Sequence, residues 1–252
     1  MRFHRFLGIC CALSFGCYLL QAQAHLEIQI PSVQQEATSV WRTINDIAFF
    51  EQQGYQVNLP KGALIDSLVQ KSKEGDFGNE DFSTIYGLLE AGAYDKADYQ
   101  AALAKVEAQE WLLQRMLIRL DSLQKTWAWG FKLFDEYPVV FTLYGSGGSY
   151  DPDEGSVLIF TTPSGKFKNY ENPANTVIHE IVHIGIEASI IQRYQVPHAL
   201  KERLVDLTVA TFFGADLPDY RIQNMGETEI DAFLKRREDF ENLDEIVEQF
   251  LN

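Results

Sequence analysis

Cysteine is nearly absent from this sequence, and the three cysteines present, Cys10, Cys11 and Cys17, all lie within the first 17 residues. Residues 25–252 contain none and therefore cannot form a disulfide bond. The stability of this segment must come from its hydrophobic core, and a chain of this length can bury a sizeable core. We expect residues 25–252 to fold as a single domain.

Basic residues are also scarce in this chain. It has 21 lysines and arginines against 36 aspartates and glutamates, which gives a formal net charge of −15. Arg2 and Arg5 belong to a predicted leader, so the chain after residue 24 carries −17. This charge argues against nucleic acid and an anionic membrane surface as partners, and solubility is its simplest explanation.

The apolar stretch at residues 6–20 is too short for a comfortable membrane span. It follows the basic residues and precedes Ala22-Gln23-Ala24, which has the small-x-small form of a signal peptidase site. We therefore predict a signal peptide at residues 1–24 and export to the periplasm or the extracellular medium. An uncleaved anchor is the alternative, but the Ala-x-Ala site favours cleavage and no stable membrane insertion afterwards.

The rest of the chain changes character near residue 135. Residues 25–30 alternate like a half-buried strand, but residues 25–135 otherwise have mainly helical periodicity. In residues 136–252, β-type runs at 139–143 and 156–161 flank a glycine-rich stretch, which predicts two strands joined by a long loop. Helices are predicted to follow. The pattern predicts an α+β fold, mostly helical, with a small mixed sheet.

Histidine is rare as well, and two of the four histidines after the leader lie in the sequence HEIVH at residues 179–183. We place this stretch in a helix, because Asn172 can cap a first turn and Pro173 is tolerated at its first position. Residues four apart lie on one face of a helix, about 6 Å apart along its axis. One zinc ion can therefore reach both His179 and His183.

A catalytic zinc site needs a third protein ligand, and the sequence offers Glu202. Eighteen residues separate it from the second histidine. Residues 195–197 (QVP) break the first helix, and a second helix from His198 or Ala199 can bring Glu202 back to the histidine pair. Asp206 lies on the same face, where it can accept the spare ring N–H of a zinc-bound histidine.

Glu180 is one position round the helix from the first histidine. It therefore lies near the water that a zinc ion would activate, which predicts that it is the general base.

HEIVH, the 18-residue gap and the segment KERLVD together resemble the gluzincin group of zinc metallopeptidases, over about forty residues. The gap has the length found in aminopeptidase-N-like members, whereas the Glu-x-x-x-Asp ending is thermolysin-like. The resemblance implies a zincin-like fold with zinc (Zn²⁺) held by His179, His183 and Glu202. It also implies Glu180 as the general base and Asp206 as the aspartate that orients a histidine.

By the same resemblance we expect a secreted or periplasmic enzyme that hydrolyses peptide bonds in peptides or proteins. The strand before the motif helix, residues 156–160, is expected to run along the cleft, where a peptide can add as an extra strand. Zinc peptidases also use a Tyr or His to stabilise the developing oxyanion. Tyr220 and His198 are the candidates, although either can equally be structural.

Several other zinc enzymes fit the sequence less well. Metzincins have Gly and His where this chain has Ile186 and Ser189. Glu187 lies a full turn beyond the second histidine, about 12 Å along the axis from the first, which is too far for one ion. Deformylases take a cysteine ligand, which the chain after the leader lacks. The amine-binding motif of aminopeptidases is missing, and residues 224–227 (NMGE) do not supply it.

Two further alternatives remain open at this stage. The chain can be a zinc-binding relative without turnover, acting as a binding or assembly factor. It can also simply contain an amphipathic helix with two surface histidines, because H-E-x-x-H alone occurs by chance.

Overall fold

Four strands form one mixed sheet in the part of the chain that the computed structural model describes, which is residues 24–168, 171–217, 219–223 and 226–252. The strands are β1 (His25–Gln29), β2 (Glu136–Thr142), β3 (Gly148–Asp151) and β4 (Ser156–Phe160). Their order across the sheet is β1-β2-β4-β3. The first three in this order run parallel, and β3 pairs antiparallel with β4 at one edge. The predicted signal peptide lies outside the described residues except for Ala24.

The sheet differs from the sequence prediction at the glycine-rich stretch. We predicted one long loop there, but Gly148–Asp151 forms a strand. We also expected a peptide to add to residues 156–160 as an extra strand along the cleft, and this prediction is wrong, because β4 is already paired on both sides. The edge strand on this side of the sheet is β3, and β1 lies at the other edge. A strand of four residues next to glycines has too short a pattern to be recognised, and its pairing depends on the β3–β4 hairpin.

Helices make up most of the remaining described chain. They are α1 (Val33–Asn45), α2 (Ile47–Gln52), α3 (Ala63–Glu74), α4 (Phe82–Leu88), α5 (Gln100–Glu107), α6 (Glu110–Leu123), α7 (Pro173–Ile186), α8 (His198–Phe213) and α9 (Leu243–Leu251). Within the stretch of helical periodicity at residues 25–135, residues 98–124 hold two helices, α5 and α6. The prediction of a mostly helical chain with a small mixed sheet is confirmed.

One face of the sheet is covered by helices α5, α6 and α7, and the main core lies between them. On the central strands, Tyr137, Val139 and Phe141 are fully buried on this face. The opposite face is only partly covered and includes Pro138 and Leu158. In the described residues, no helix is both long enough and apolar enough to cross a membrane.

Helix α7 packs against an aromatic cluster. Trp127 and Trp129 stack with ring centroids 5.1 Å apart, and Phe131 packs edge-on against both. The Phe131 ring lies so close to Gly185 that an added Cβ would come within 1.9 Å of it. A helix normally disfavours glycine, so this close approach explains its place in α7.

Candidate metal centre

Helix α7 begins as the sequence predicted. The Asn172 side chain accepts a hydrogen bond from the Ala174 amide at 3.0 Å, and Pro173 is the first helical residue. Nearly every residue of α7 is buried, including the polar His179, Glu180 and His183. Burial of polar side chains is costly unless they have partners. These three residues therefore need a specific explanation.

The chain between α7 and α8 brings Glu202 to the two histidines. A short π-helical segment, Glu187–Gln192, extends α7, and Gln195 then turns the chain with a left-handed φ of 53°. Helix α8 starts at His198, as predicted, and Glu202 lies one turn into it. This turn places α8 beside α7.

Three ligand atoms from these helices converge on one point. The Nε2 atoms of His179 and His183 are 3.1 Å apart, and each lies 3.5 Å from Oε2 of Glu202. Ligands about 2.1 Å from a tetrahedral zinc ion are roughly 3.4 Å from one another, which matches this triangle. Two imidazoles and one carboxylate are also a donor set that zinc accepts in catalytic sites. His179, His183 and Glu202, called here the ligand group, could hold a metal ion.

Asp206 stands behind the first histidine, on the side away from the ligand atoms. Its Oδ1 accepts a 2.6 Å hydrogen bond from the Tyr220 hydroxyl, which lies 2.7 Å from Nδ1 of His179. Nδ1 itself is 3.4 Å from the Asp206 carboxylate. A ring that donates from Nδ1 to this pair keeps its Nε2 lone pair for a metal. This contact suits the predicted orienting role of Asp206.

Gln223 links Asp206 to the ligand group. Its amide N–H donates to Oδ2 of Asp206 at 2.6 Å, and its side-chain Nε2 donates to Oε2 of Glu202 at 3.3 Å. Neither contact could be recognised from the sequence, because Gln223 lies in an irregular segment after α8.

The second histidine is held by stacking. Its ring lies parallel to the Tyr150 ring of β3, with centroids 4.8 Å apart and planes inclined by 8°. Nδ1 of His183 is buried and has no hydrogen-bond partner among the described residues. The Tyr150 hydroxyl donates to Glu187 at 2.7 Å and accepts from Lys201 at 3.1 Å. Glu187 therefore contacts the tyrosine, in keeping with the prediction that it is not a ligand.

Glu180 points toward the edge strand. A Cβ added to Gly148 would lie 2.2 Å from its Oε1, so only glycine leaves room for this carboxylate. Burial is the main cause that raises the pKa of Glu180, to about 7.

The three residues of the ligand group have pKa values shifted in different directions. Burial lowers the pKa of His183 to about 4. Burial also acts to lower the pKa of His179, but hydrogen bonds to Asp206 and Glu202 outweigh it and raise the value to about 10. Burial acts to raise the pKa of Glu202, whereas bonds from both histidines hold it well below its usual range. At neutral pH these shifts place an ionised Glu202 and a neutral His183 beside a protonated His179, so a metal ion that binds here would replace the His179 proton on Nε2.

A cavity of about 390 Å³ opens beside the ligand group. This is within the range of ligand-binding pockets. Its walls include the ligand group with Glu180, the glycine-rich segment 146–148, and an aromatic wall of Phe49, Phe50 and Tyr55. The motif residues, the edge strand and the N-terminal helices therefore share one cleft.

Comparisons of the chain with protein-family models, with curated proteins and with solved structures found no match. The arrangement of the described residues alone therefore supports the metal site.

The two residues considered for the oxyanion occupy different places. The Tyr220 hydroxyl lies on the Nδ1 side of His179 and is bonded to Asp206, so it does not point at the ligand atoms. His198 lines the cavity, with Nδ1 3.7 Å from Oε1 of Glu202 and Nε2 3.2 Å from the Tyr55 hydroxyl. His198 is therefore the better placed of the two.

Sequence reasoning missed several residues that line the cleft. They are Arg42, Tyr55, Gly148, Tyr150 and Lys201. Each lies outside the motif, and only Tyr150, an aromatic between two polar residues, carried a local signal of strand structure.

Proposed function

We propose that this protein is an exported zinc-dependent peptidase of the gluzincin type. The observation that carries the proposal is the triangle of three ligand atoms, 3.1–3.5 Å apart, in one cleft with the separate buried carboxylate of Glu180. A structural site would need no such additional carboxylate beside an open cavity. The resemblance of the motif and its spacing to gluzincins gives the reaction class, which is hydrolysis of a peptide bond.

Zinc bound by the ligand group would polarise the scissile carbonyl and lower the pKa of its water to about 7. Glu180 accepts the proton of the attacking water as the new C–O bond forms. It then delivers that proton to the leaving amine nitrogen as the C–N bond breaks. Gly148 leaves the room in which the Glu180 carboxylate makes this transfer.

Other residues orient the two histidine ligands or contact the substrate. Asp206 and Tyr220 hold His179 in the tautomer that is protonated on Nδ1, which leaves the Nε2 lone pair for the metal. Tyr150 holds the ring of His183 by stacking. His198, supported by Tyr55, is placed to stabilise negative charge on the substrate oxygen, the role that zinc peptidases assign to a Tyr or His.

The edge strand β3 is the surface to which a peptide substrate binds. Its outer edge is unpaired among the described strands, and it borders the cleft beside Glu180. An extended peptide can add there through main-chain hydrogen bonds.

The first test is the metal content of the purified protein. We expect about one zinc per chain in the wild type, and loss or a more than about 100-fold weakening in His183→Ala and Glu202→Ala, since even outer partners cost 10–100-fold. His25→Ala is the matched control, because this histidine is exposed and its ion pair is with Glu136. A wild-type protein that takes up no metal even with zinc supplied would contradict the proposal.

The second test separates an enzyme from a binding protein without turnover. Glu180→Gln should keep its zinc and lose hydrolysis of a mixed peptide library. Full activity in this variant would refute the role of Glu180. A wild type that binds zinc and cleaves no peptide would favour the binding or assembly function.

A further inference from the structure

Arg42 occupies the point where the cleft meets its neighbouring grooves. It lies in the last turn of α1 and lines the cavity of the ligand group. It also lines a groove of about 710 Å³ over the open face of the sheet and a smaller cavity of about 110 Å³ beside residues 144–149. A substrate lying along β3 would therefore pass this side chain.

The guanidinium of Arg42 has no partner among the described residues. Other described arginines contact carboxylates or lie over aromatic rings; examples are Arg115, Arg119, Arg203, Arg236, Arg193 and Arg237. Asp46, one turn further on, forms no ion pair with Arg42, and its Oδ1 accepts from Asn45 at 2.7 Å. Acids outnumber bases 36 to 21 in this chain, so an arginine left without one is unexpected.

Lys201, the other cation of the cleft, supports the same interpretation. Its Nζ donates to the Tyr150 hydroxyl, and no carboxylate lies within ion-pair distance among the described residues. The cleft of a strongly acidic protein thus carries two cations that form no ion pair with a described carboxylate, and Lys201 acts on Glu180 only from beyond ion-pair distance.

A helix-dipole role would explain a positive charge in the last turn of α1. It would not explain why the side chain lies in the cleft. The two roles differ in a measurable way, because a dipole effect changes the stability of the protein and leaves its choice of substrate unaffected.

We propose that Arg42 makes the cleft selective for peptides that carry a carboxylate near the scissile bond. This inference rests on the proposed peptidase function. The planar guanidinium binds a carboxylate through two parallel hydrogen bonds, which gives geometric specificity as well as affinity. The carboxylate can come from an Asp or Glu side chain or from the C-terminus of the substrate.

The test compares isosteric peptides with the full, zinc-loaded protein. Libraries that differ by Glu or Gln at each position, with a free or an amidated C-terminus, are digested and quantified by mass spectrometry. We expect the wild type to favour the carboxylate by about tenfold or more in kcat/KM at one position or at the free terminus. A preference for Glu over Gln at one peptide position would identify a side chain as the recognised carboxylate. A preference for the free over the amidated C-terminus would identify the chain end.

Arg42→Ala should remove this preference, Arg42→Lys should retain part of it, and Arg42→Glu should favour Lys at the same position. Lys61→Ala is the matched control, since Lys61 is an exposed cation outside the cleft. Equal cleavage of both members of every pair by the wild type, or a preference that survives in Arg42→Ala, would overturn the proposal while the peptidase function stands.

Binding decides the inference if no peptide is cleaved. The affinity of the zinc-loaded wild type and Arg42→Ala for the same paired peptides is then measured by fluorescence anisotropy. A carboxylate preference that Arg42→Ala loses would support the inference even though the peptidase function fails. Equal binding of every pair would overturn it.

Discussion

Asp206, behind the ligand group, and Glu36, a residue of α1, are both fully buried carboxylates, but their surroundings are very different. Asp206 accepts from the Tyr220 hydroxyl and the Gln223 amide on its two oxygens. Glu36 uses one oxygen for both of its bonds, from the Tyr99 hydroxyl at 2.6 Å and the Leu143 amide at 2.8 Å. Its other oxygen has no partner among the described residues.

The difference distinguishes a carboxylate that contacts the candidate metal site from one that joins parts of the fold. Asp206 has donors on both oxygens and a histidine beside it, and that histidine faces an open cleft. The Glu36 cluster, which is Glu36 with Tyr99 and the Leu143 amide, joins α1 to the segments around it and lines none of the described cavities. Burial raises the pKa of Glu36, because no described cation offsets the loss of water. Burial of an acid alone therefore does not indicate function.

Metal removal should give the largest contrast between these regions. Zinc at 100 times its Kd should stabilise the wild type by about 2.7 kcal/mol, and chelation should remove this gain. Glu202→Ala should show no such response in thermal unfolding, whereas Glu36→Gln should respond as the wild type does. If zinc stabilised Glu202→Ala but not Glu36→Gln in thermal unfolding, the metal site would have to lie with Glu36 and not with Glu202.

Asp206→Asn should have the next largest effect. An amide can still accept from Tyr220 but carries no charge to support His179, so we expect zinc affinity to fall by 10–100-fold. Competition with a chromophoric chelator measures this change. Glu36→Gln is the matched carboxylate-to-amide control, and equal losses in the two variants would show that Asp206 has no special role.

Gly148→Ala should damage the site, with some loss of stability as well, because an added Cβ would also lie 2.7 Å from Cγ2 of Thr176. The new methyl group would displace the Glu180 carboxylate, and we expect kcat/KM to fall by at least about tenfold, the lower part of what proton transfer contributes. Gly147→Ala is the control, because an added Cβ there meets no atom within 4 Å. Unchanged hydrolysis in Gly148→Ala, with a normal unfolding midpoint, would argue against this position of Glu180.

Tyr150→Ala should weaken zinc binding less than the ligand variants do. Ring stacking is worth about 0.5–1.5 kcal/mol, which corresponds to a two- to tenfold loss of affinity. Tyr150→Phe keeps the stacked ring and removes the bonds to Glu187 and Lys201, so it should bind zinc nearly as the wild type does. Equal weakening in both variants would mean that the hydroxyl, and not the ring, holds His183.

The smallest effect should come from Glu36→Gln and should depend on pH. Because the folded pKa of Glu36 is raised above 4.5, its contribution to stability is complete below that pH and is lost as the pH rises through the folded value. The free energy of unfolding of the variant should therefore rise relative to that of the wild type toward neutral pH, by about 1 kcal/mol or less. Urea unfolding at a series of pH values measures this, with the exposed Glu107→Gln as the control. A difference that does not change with pH would mean that the pKa of Glu36 is the same in the folded and unfolded states.

Most of the candidate site could be predicted from local pattern. Helical periodicity puts His179 and His183 on one face whatever surrounds them, and Asn172 with Pro173 marks the start of that helix. The break before His198 sets the return of Glu202. The roles of zinc, of Glu180 and of the signal peptide remain predictions.

The edge of the sheet could not be predicted in this way. The four residues of β3 carry too little pattern, and their position depends on a hairpin that inserts β4 between β2 and β3. The same strand brings Tyr150 against His183 and Gly148 against Glu180. Arg42 reaches the cleft from α1, more than 130 positions before the motif.

The sequence by itself determined the motif helix, its cap, the break and the spacing of the third ligand, because helix geometry links residues that are close in the chain. Only the tertiary structure decided which strand borders the cleft, which ring stacks on His183 and where Arg42 and Gln223 lie. These contacts join distant segments, and they depend on how the whole core packs.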